Sequence, residues 1–257
     1  MSKSVAGTQS MTRAIDVLQM VTDAPEPPTI GQLLPESGLT RPTLHRILAS
    51  LVQLNLLEQA HDKTYRPGLR LVSLARKALA ENDLRKIARS FLEGLRDVTG
   101  ETVHLAVPVQ EGLVYIDKIE SHEMVRMEST IGTIVPIHST GVGKAYLSTV
   151  NEAEAAQLLR DAPRPALTDY TSTDTKEILE KVAKAKRDGF VFDHQENELG
   201  ISCFGAAIRD ETGKGVAAVS ISVPQFRLRH DHEFYSRPLM EKVGLISAQL
   251  GFIPRPG

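Results

Sequence analysis

The stretch GLTRPTLHRILASLVQLNLL, Gly38 to Leu57, decides how the first third of the chain is read. Leu44, Ile47, Leu48 and Leu51 recur at i, i+3, i+4 and i+7, the spacing of one buried helical stripe. Thr40 stands where a helix cap belongs, and Pro42 falls in the first turn, where its missing N–H is tolerated. The stripe leaves Arg41, Thr43, His45, Arg46 and Ser50 off the core face. Just upstream, Gly38 can take the positive φ of a tight turn. Before it, Thr29 and Gln32 make a capping box for a short helix with Ile30, Leu33 and Leu34 inward. Two helices joined by a glycine turn, the second polar at its N-terminal end, predict a helix-turn-helix.

On the N-terminal side, SMTRAIDVLQMV predicts a helix capped by Ser10, with Met11, Ala14, Ile15, Leu18 and Val21 on one stripe. Pro25, Pro27 and Pro28 end it. On the C-terminal side, LLEQAHDKTYRPG reads as a strand, a polar turn and a returning strand, the wing of a winged helix-turn-helix. In such a module the second helix enters the major groove. Arg41, Thr43, His45 and Arg46 would then reach base edges or phosphates, and Lys63 or Arg66 the backbone or minor groove. Either arginine alone is better read as solvating a surface helix. The ordered set of three helices, tight turn and basic hairpin favours double-stranded DNA.

Charge agrees with that reading. The net charge is −2, but residues 1–80 hold nine Lys/Arg against six Asp/Glu, while residues 81–257 hold 21 against 26. At 257 residues the chain has room for two domains. No apolar run approaches the ~18 residues of a membrane span, and no secretory leader is legible at the start. One cysteine, Cys203, excludes an internal disulfide framework and suits a reducing cytoplasm.

LRLVSLARKALAENDLRKIARSFLEGLRDVTG, residues 69–100, reads as helix throughout. Leu71, Leu74, Ala75 and Ala78 form one stripe; Ile87, Phe91, Leu95 and Val98 form a second after Asn82 and Asp83. The expected organisation is a DNA-binding domain over 1–68, a linker helix over 69–82 and a second domain over 83–257. An apolar linker helix calls for a partner, either the chain's own second domain or a second copy. Paired modules suit two-fold DNA.

The back two thirds predict an α+β domain with one antiparallel sheet and flanking helices. ETVHLAVPV and LVYIDKIES form a hairpin about a QEG turn, and MVRMEST reads as a third strand. IVPIHSTGVGKAYLS is a glycine-containing loop entering a short helix. Asn151 caps one further helix, Gly189 ends another, and a last helix covers about 232–250. GFVFD, ISCFGAAI and VAAVSISVP are strands. Period two puts Ser220 and Ser222 on one face, opposite Val219, Ile221 and Val223, and Cys203 on the adjacent strand can share their face. Small donors beside the backbone N–H groups of STGVG suit a carboxylate; the alternative is serines facing water and a loop that merely turns.

Taken in order, RAIDVLQMV, GLTRPTLHRILASL, YRPGLRLVSLA, TGETVHLAV, YIDKIES, HSTGVGKAYLS, DHQENELGISC and VAAVSISVP resemble the IclR family of bacterial transcriptional regulators from about Ser10 to Leu250. The resemblance implies a winged helix-turn-helix, a linker helix and a profilin-like or GAF-like effector domain. It also implies homodimers or homotetramers on palindromic operator DNA, and a small-metabolite effector such as a carboxylate, sugar acid or aromatic acid. By the same resemblance, the effector-binding positions are Gly141, Val142, Asp193, Cys203, Ser220 and Ser222, with Met124, Met127 and Ile134 as candidate walls. The chain departs from the pattern at LLPESG, where Pro35 and Ser37 would shorten the second helix. The expectation is a cytoplasmic, ligand-responsive repressor of catabolic genes, with no cofactor, metal or enzymatic activity.

Two other readings compete. Cys203 with His138 or His194 as base would make a thiol hydrolase, but an apolar strand is a poor place to lower a thiol's pKa. His230, Asp231 and His232 would make a metal-responsive regulator, but their spacing is common by chance.

Overall fold

The first helix, α1 (Gln9–Asp23), packs on α2 (Ile30–Ser37) and α3 (Arg41–Gln53). A computed structural model describes residues 8–74, 83–125, 127 and 129–253. They fall into two compact units, 1–81 and 82–257.

In the first unit Leu44, Leu48 and Leu51 of α3 are buried with Val17, Val21 and Leu33, as the stripe predicts. Each such leucine contributes roughly 2 kcal/mol of apolar burial. The capping box forms, with the Thr29 N–H donating to Gln32 Oε1 at 2.8 Å. Gly38 takes φ 61° between α2 and α3, and α2 runs through Pro35 to Ser37. The wing is β1 (Leu57–Gln59) against β2 (Tyr65–Pro67), with Glu58 opposite Arg66. The α1 stripe needs correction. Val17 and Val21 face the core, whereas Met11 and Ile15 are 68% and 51% exposed, and Thr8 rather than Ser10 precedes the helix. The helix has two apolar edges, and packing on α2 and α3 selects the Val17 edge. Residues 70–74 begin a helix where the linker was expected; 75–82, including Ala75 and Ala78, lie outside the described residues.

The second unit starts with α4 (Asp83–Thr99) and the hairpin β3 (Thr102–Val109) and β4 (Gly112–Ile119). Then come β5 (Ile134–Val135), α5 (Gly141–Leu147), α6 (Glu152–Asp161) and α7 (Thr175–Asp188). Strands β6 (Val191–His194), β7 (Ile201–Arg209) and β8 (Gly215–Pro224) precede α8 (Glu233–Gln249). The six strands form one antiparallel sheet in the order β5-β4-β3-β8-β7-β6.

Alternation divides the sheet into two faces. Val103, Leu105, Phe204, Val219 and Ile221 point toward α4 and α8. Ala106, Leu113, Tyr115 and Ala218 point toward α5, α6 and α7. The result is helix, sheet, helix in three layers, and the polar strand positions lie on the α5 face.

The strand expected over MVRMEST does not form among the described residues. The edge beside β4 is taken by β5, paired through Leu113–Val135 and Val114–Ile134. This register needs Gly112, because a Cβ there would lie 2.3 Å from the Val135 carbonyl oxygen. Residues 129–133 instead attach to β4 by single bonds, including Gly132 N–H to Tyr115 O at 2.8 Å.

Candidate functional site

Two candidate surfaces emerge, one in each unit. On the first, Arg41, His45 and Arg46 are exposed along the first turns of α3, and Lys63 and Arg66 are exposed on the wing. Thr43 is half-buried and shares a 2.9 Å hydrogen bond with Thr40. Lys63 occupies the turn with φ 65°. Among the described residues, Arg41, Arg46, Lys63 and Arg66 make no ion pair, so each guanidinium and ammonium is open to an outside anion.

The second surface is a small cavity of about 10 Å³, room for roughly one water, between the α5 face of the sheet and the loops above it. Its floor follows from register. Asp193 on β6 lies opposite Cys203 on β7, Cys203 opposite Ser222 on β8, and Gly205 opposite Ser220. The N-terminus of α5 sits directly on this floor. Thr140 caps it, accepting from Gly143 N–H at 3.1 Å. The N–H groups of Gly141 and Val142 belong to the first helical turn and have no intrahelical acceptor. Gly141, Val142, Asp193, Cys203 and Ser220 therefore line one cavity. Ser222 is not on its lining; it stands behind, with its hydroxyl 3.4 Å from Cys203 Sγ.

A relay of polar groups runs from Ser222 into the sheet. Its hydroxyl is 3.4 Å from His104 Nδ1, and His104 Nε2 is 2.7 Å from Ser129 Oγ. The His104 ring stacks on Tyr115 with centroids 4.5 Å apart. Behind Asp193, the buried Lys144 ammonium lies 3.8 Å from its carboxylate and 2.6 Å from that of Glu196, which Lys181 also meets at 3.0 Å. The Glu196 N–H donates to Asp193 Oδ1 at 3.1 Å.

Burial governs the protonation of this site. It pushes Asp193 up to about 6 against the pull of Lys144. It pushes the Cys203 thiol up to about 12, helped by the Asp193 charge, and lowers His104 to about 3. Cys203 is thus a thiol donor, and His104 is neutral.

Tyr115, Thr140, Asn197, Glu198 and Ile201 also line the cavity, and none was singled out from sequence. Met127 lines it; Met124 is 95% exposed and Ile134 is half exposed on β5. A legible signal existed for His104, since it alternates with Thr102 and Ala106 on the face that carries the serines. Lys144, a cation inside an apolar helical turn, was another.

The rival chemistries lack geometry. Among the described residues no histidine hydrogen-bonds Cys203 Sγ; His138 Nε2 is 3.1 Å from the Pro165 carbonyl oxygen, and His194 Nδ1 is 3.4 Å from Ser202 Oγ. His232 packs on Phe192 and Phe204 with centroids 4.3 and 5.3 Å away. A wider open cleft lies along the outer edge of β6, with Tyr170, Phe192 and Lys184 among its walls. Its Lys181 and Lys184 already sit near Glu196 and Asp188.

Comparison with known proteins agrees with both units. Residues 10–61 match the IclR helix-turn-helix domain, and residues 76–247 match the bacterial transcriptional regulator IclR C-terminal domain. The transcriptional repressor IclR of Escherichia coli is 30% identical over 226 residues, covering 87% of this chain and 82% of that protein. The crystal structure of the Thermotoga maritima IclR has a TM-score of 0.74 at 30% identity, covering 95% of this chain and 99% of that one. An IclR homologue from Microbacterium hydrocarbonoxydans, complexed with 4-hydroxybenzoate, has a TM-score of 0.78 at 24% identity, covering 94% and 98%. With a family match across most of its length and a helix-turn-helix ahead of it, the chain belongs to the IclR family of bacterial transcriptional regulators.

Proposed function

We propose that this chain is a cytoplasmic repressor of catabolic genes whose affinity for operator DNA is set by a small carboxylate bound in the second unit. Residues 1–68 hold palindromic double-stranded DNA, 69–82 connect, and 83–257 bind the effector and assemble the homodimer or homotetramer. Arg41, Thr43, His45 and Arg46 read the major groove, with Lys63 and Arg66 on the backbone. The chain carries out no catalysis and needs no cofactor for this role.

One observation carries the reading: the N–H groups of Gly141 and Val142, unpaired among the described residues, open onto a floor of small donors, Ser220 and the Cys203 thiol. Orphan N–H groups at a helix start favour an anion. Asp193 does not oppose this. An anionic neighbour raises its already elevated pKa further, and the protonated carboxyl then donates a hydrogen bond. Ser222 acts by orienting Cys203.

The test is a thermal-shift panel of short-chain, sugar and aromatic acids, followed by DNA binding at fixed salt. A true effector raises the melting temperature by mass action and changes DNA affinity. Tight binding of an acid with unchanged DNA affinity overturns the regulatory role.

A further inference from the structure

We propose that Tyr115 selects the effector, its hydroxyl hydrogen-bonding a second oxygen on the acid, so that the cavity takes hydroxy or oxo acids in preference to their deoxy counterparts. This rests on the carboxylate reading of the same cavity.

Tyr115 lies on β4 and is 5% exposed, yet it lines the cavity opposite the α5 terminus. Its ring has a defined position. It belongs to the apolar cluster of the α5 face and stacks on His104, which Ser129 and Ser222 hold from both ring nitrogens. Its hydroxyl has no hydrogen-bond partner among the described residues. The hydroxyl is not among the buried oxygens that lack a partner, so it reaches accessible space, and the space that Tyr115 lines is the cavity. Burial and the nearby Cys203 and Asp193 hold the phenol well above its usual pKa, so it stays protonated and can donate.

The backbone N–H groups of Gly141 and Val142 supply the acid's anchor, and that end is blind to the rest of the molecule. Discrimination must come from a group on another wall. Among the lining side chains, Met127, Ile201 and Val142 are apolar; Asp193, Cys203 and Ser220 belong to the floor; Thr140 Oγ1 is held by Pro136 O and Gly143 N–H, Asn197 accepts from Ser139, and Glu198 is engaged elsewhere. Tyr115 is rigid, polar and unpaired, and a site built to hydrogen-bond an oxygen penalises the analogue that lacks it.

The experiment compares wild type with Tyr115→Phe in the full chain. Without ligand, the variant is expected to melt at or above the wild-type temperature, because no protein partner is lost. A clear fall in melting temperature shows a structural bond and overturns the proposal. With ligand, dissociation constants are measured for matched pairs: lactate and propionate, malate and succinate, 4-hydroxybenzoate and benzoate. In at least one pair the wild type is expected to prefer the oxygenated acid by about tenfold, and the variant to lose that preference while binding the deoxy acid unchanged. Equal preference in both proteins overturns the role of Tyr115 and leaves the carboxylate reading standing. If no acid binds the wild type, the carboxylate reading falls and takes the Tyr115 role with it.

Discussion

Gly205 on β7 meets Gly141 at the start of α5 so closely that a Cβ on Gly205 would lie 2.3 Å from the Gly141 carbonyl oxygen. A real Cβ cannot occupy that place, and the neighbour is backbone. Gly205→Ala is expected to cost about 1–3 kcal/mol by overpacking and to lift α5 from the floor. Chemical denaturation reads the first effect and acid binding the second. A variant with wild-type stability and affinity would show that α5 does not depend on this contact.

Arg46 is exposed on α3 and has no acidic partner among the described residues, so its loss is expected to leave the fold alone. Arg46→Ala is expected to weaken binding to DNA selected from a random library by the wild type. The size is about 1–3 kcal/mol if the contact is a base edge. If it is a phosphate, the salt slope falls by about one. Identical affinity and slope would remove Arg46 from the DNA face.

His104 makes stability pH-dependent. Its folded pKa is lowered from 6.5 to about 3, chiefly by burial. Between those values the unfolded chain takes a proton that the folded one refuses. Its contribution is therefore whole above about 6.5 and is lost as pH falls toward 3. His104→Gln removes this slope. The stability of wild type relative to the variant should be about 2 kcal/mol smaller at pH 5 than at pH 7. A gap constant across that range would place a charged imidazole in the fold.

Cys203 should resist alkylation. A thiol pushed up to about 12 holds about a thousandfold less thiolate at pH 8 than one at its ordinary value of 9. Iodoacetamide labelling of the native chain is expected to be slower by that order, and slower again with effector bound. Labelling at the rate of a free cysteine would mean the strand exposes its sulfur.

Lys144 is fully buried between Asp193 and Glu196. Lys144→Met keeps the length of the side chain, strands Asp193 and leaves Glu196 with Lys181 alone, so a loss of about 3–5 kcal/mol is expected in denaturant unfolding. A near-neutral result would show that water already reaches the pair.

Much of this was legible in the sequence. Leu44, Leu48 and Leu51 declare the face of α3 because packing there follows the helical period directly. Ser220 and Ser222 declare a strand face for the same reason. What failed were choices between near-equal local options. Met11 and Ile15 look as apolar as Val17 and Val21, and only the neighbours α2 and α3 decide which edge is covered. MVRMEST alternates like a strand, but the position beside β4 was already filled by Ile134 and Val135. Tyr115 and His104 matter because of what lies across the sheet, and no local window contains that information.

The pairing of β3 with β8 has a consequence in time. It sets Thr102 opposite Ser222 and His104 opposite Ser220, joining segments more than a hundred residues apart. Such long-range pairing forms slowly, since most of the loop between must be ordered first. During translation the ribosome has to release β8 before the centre of the sheet can close. Until then β3 shows an unpaired edge to the cell, and no effector can be read. A nascent or truncated chain can already carry its complete helix-turn-helix while lacking the means to answer a metabolite.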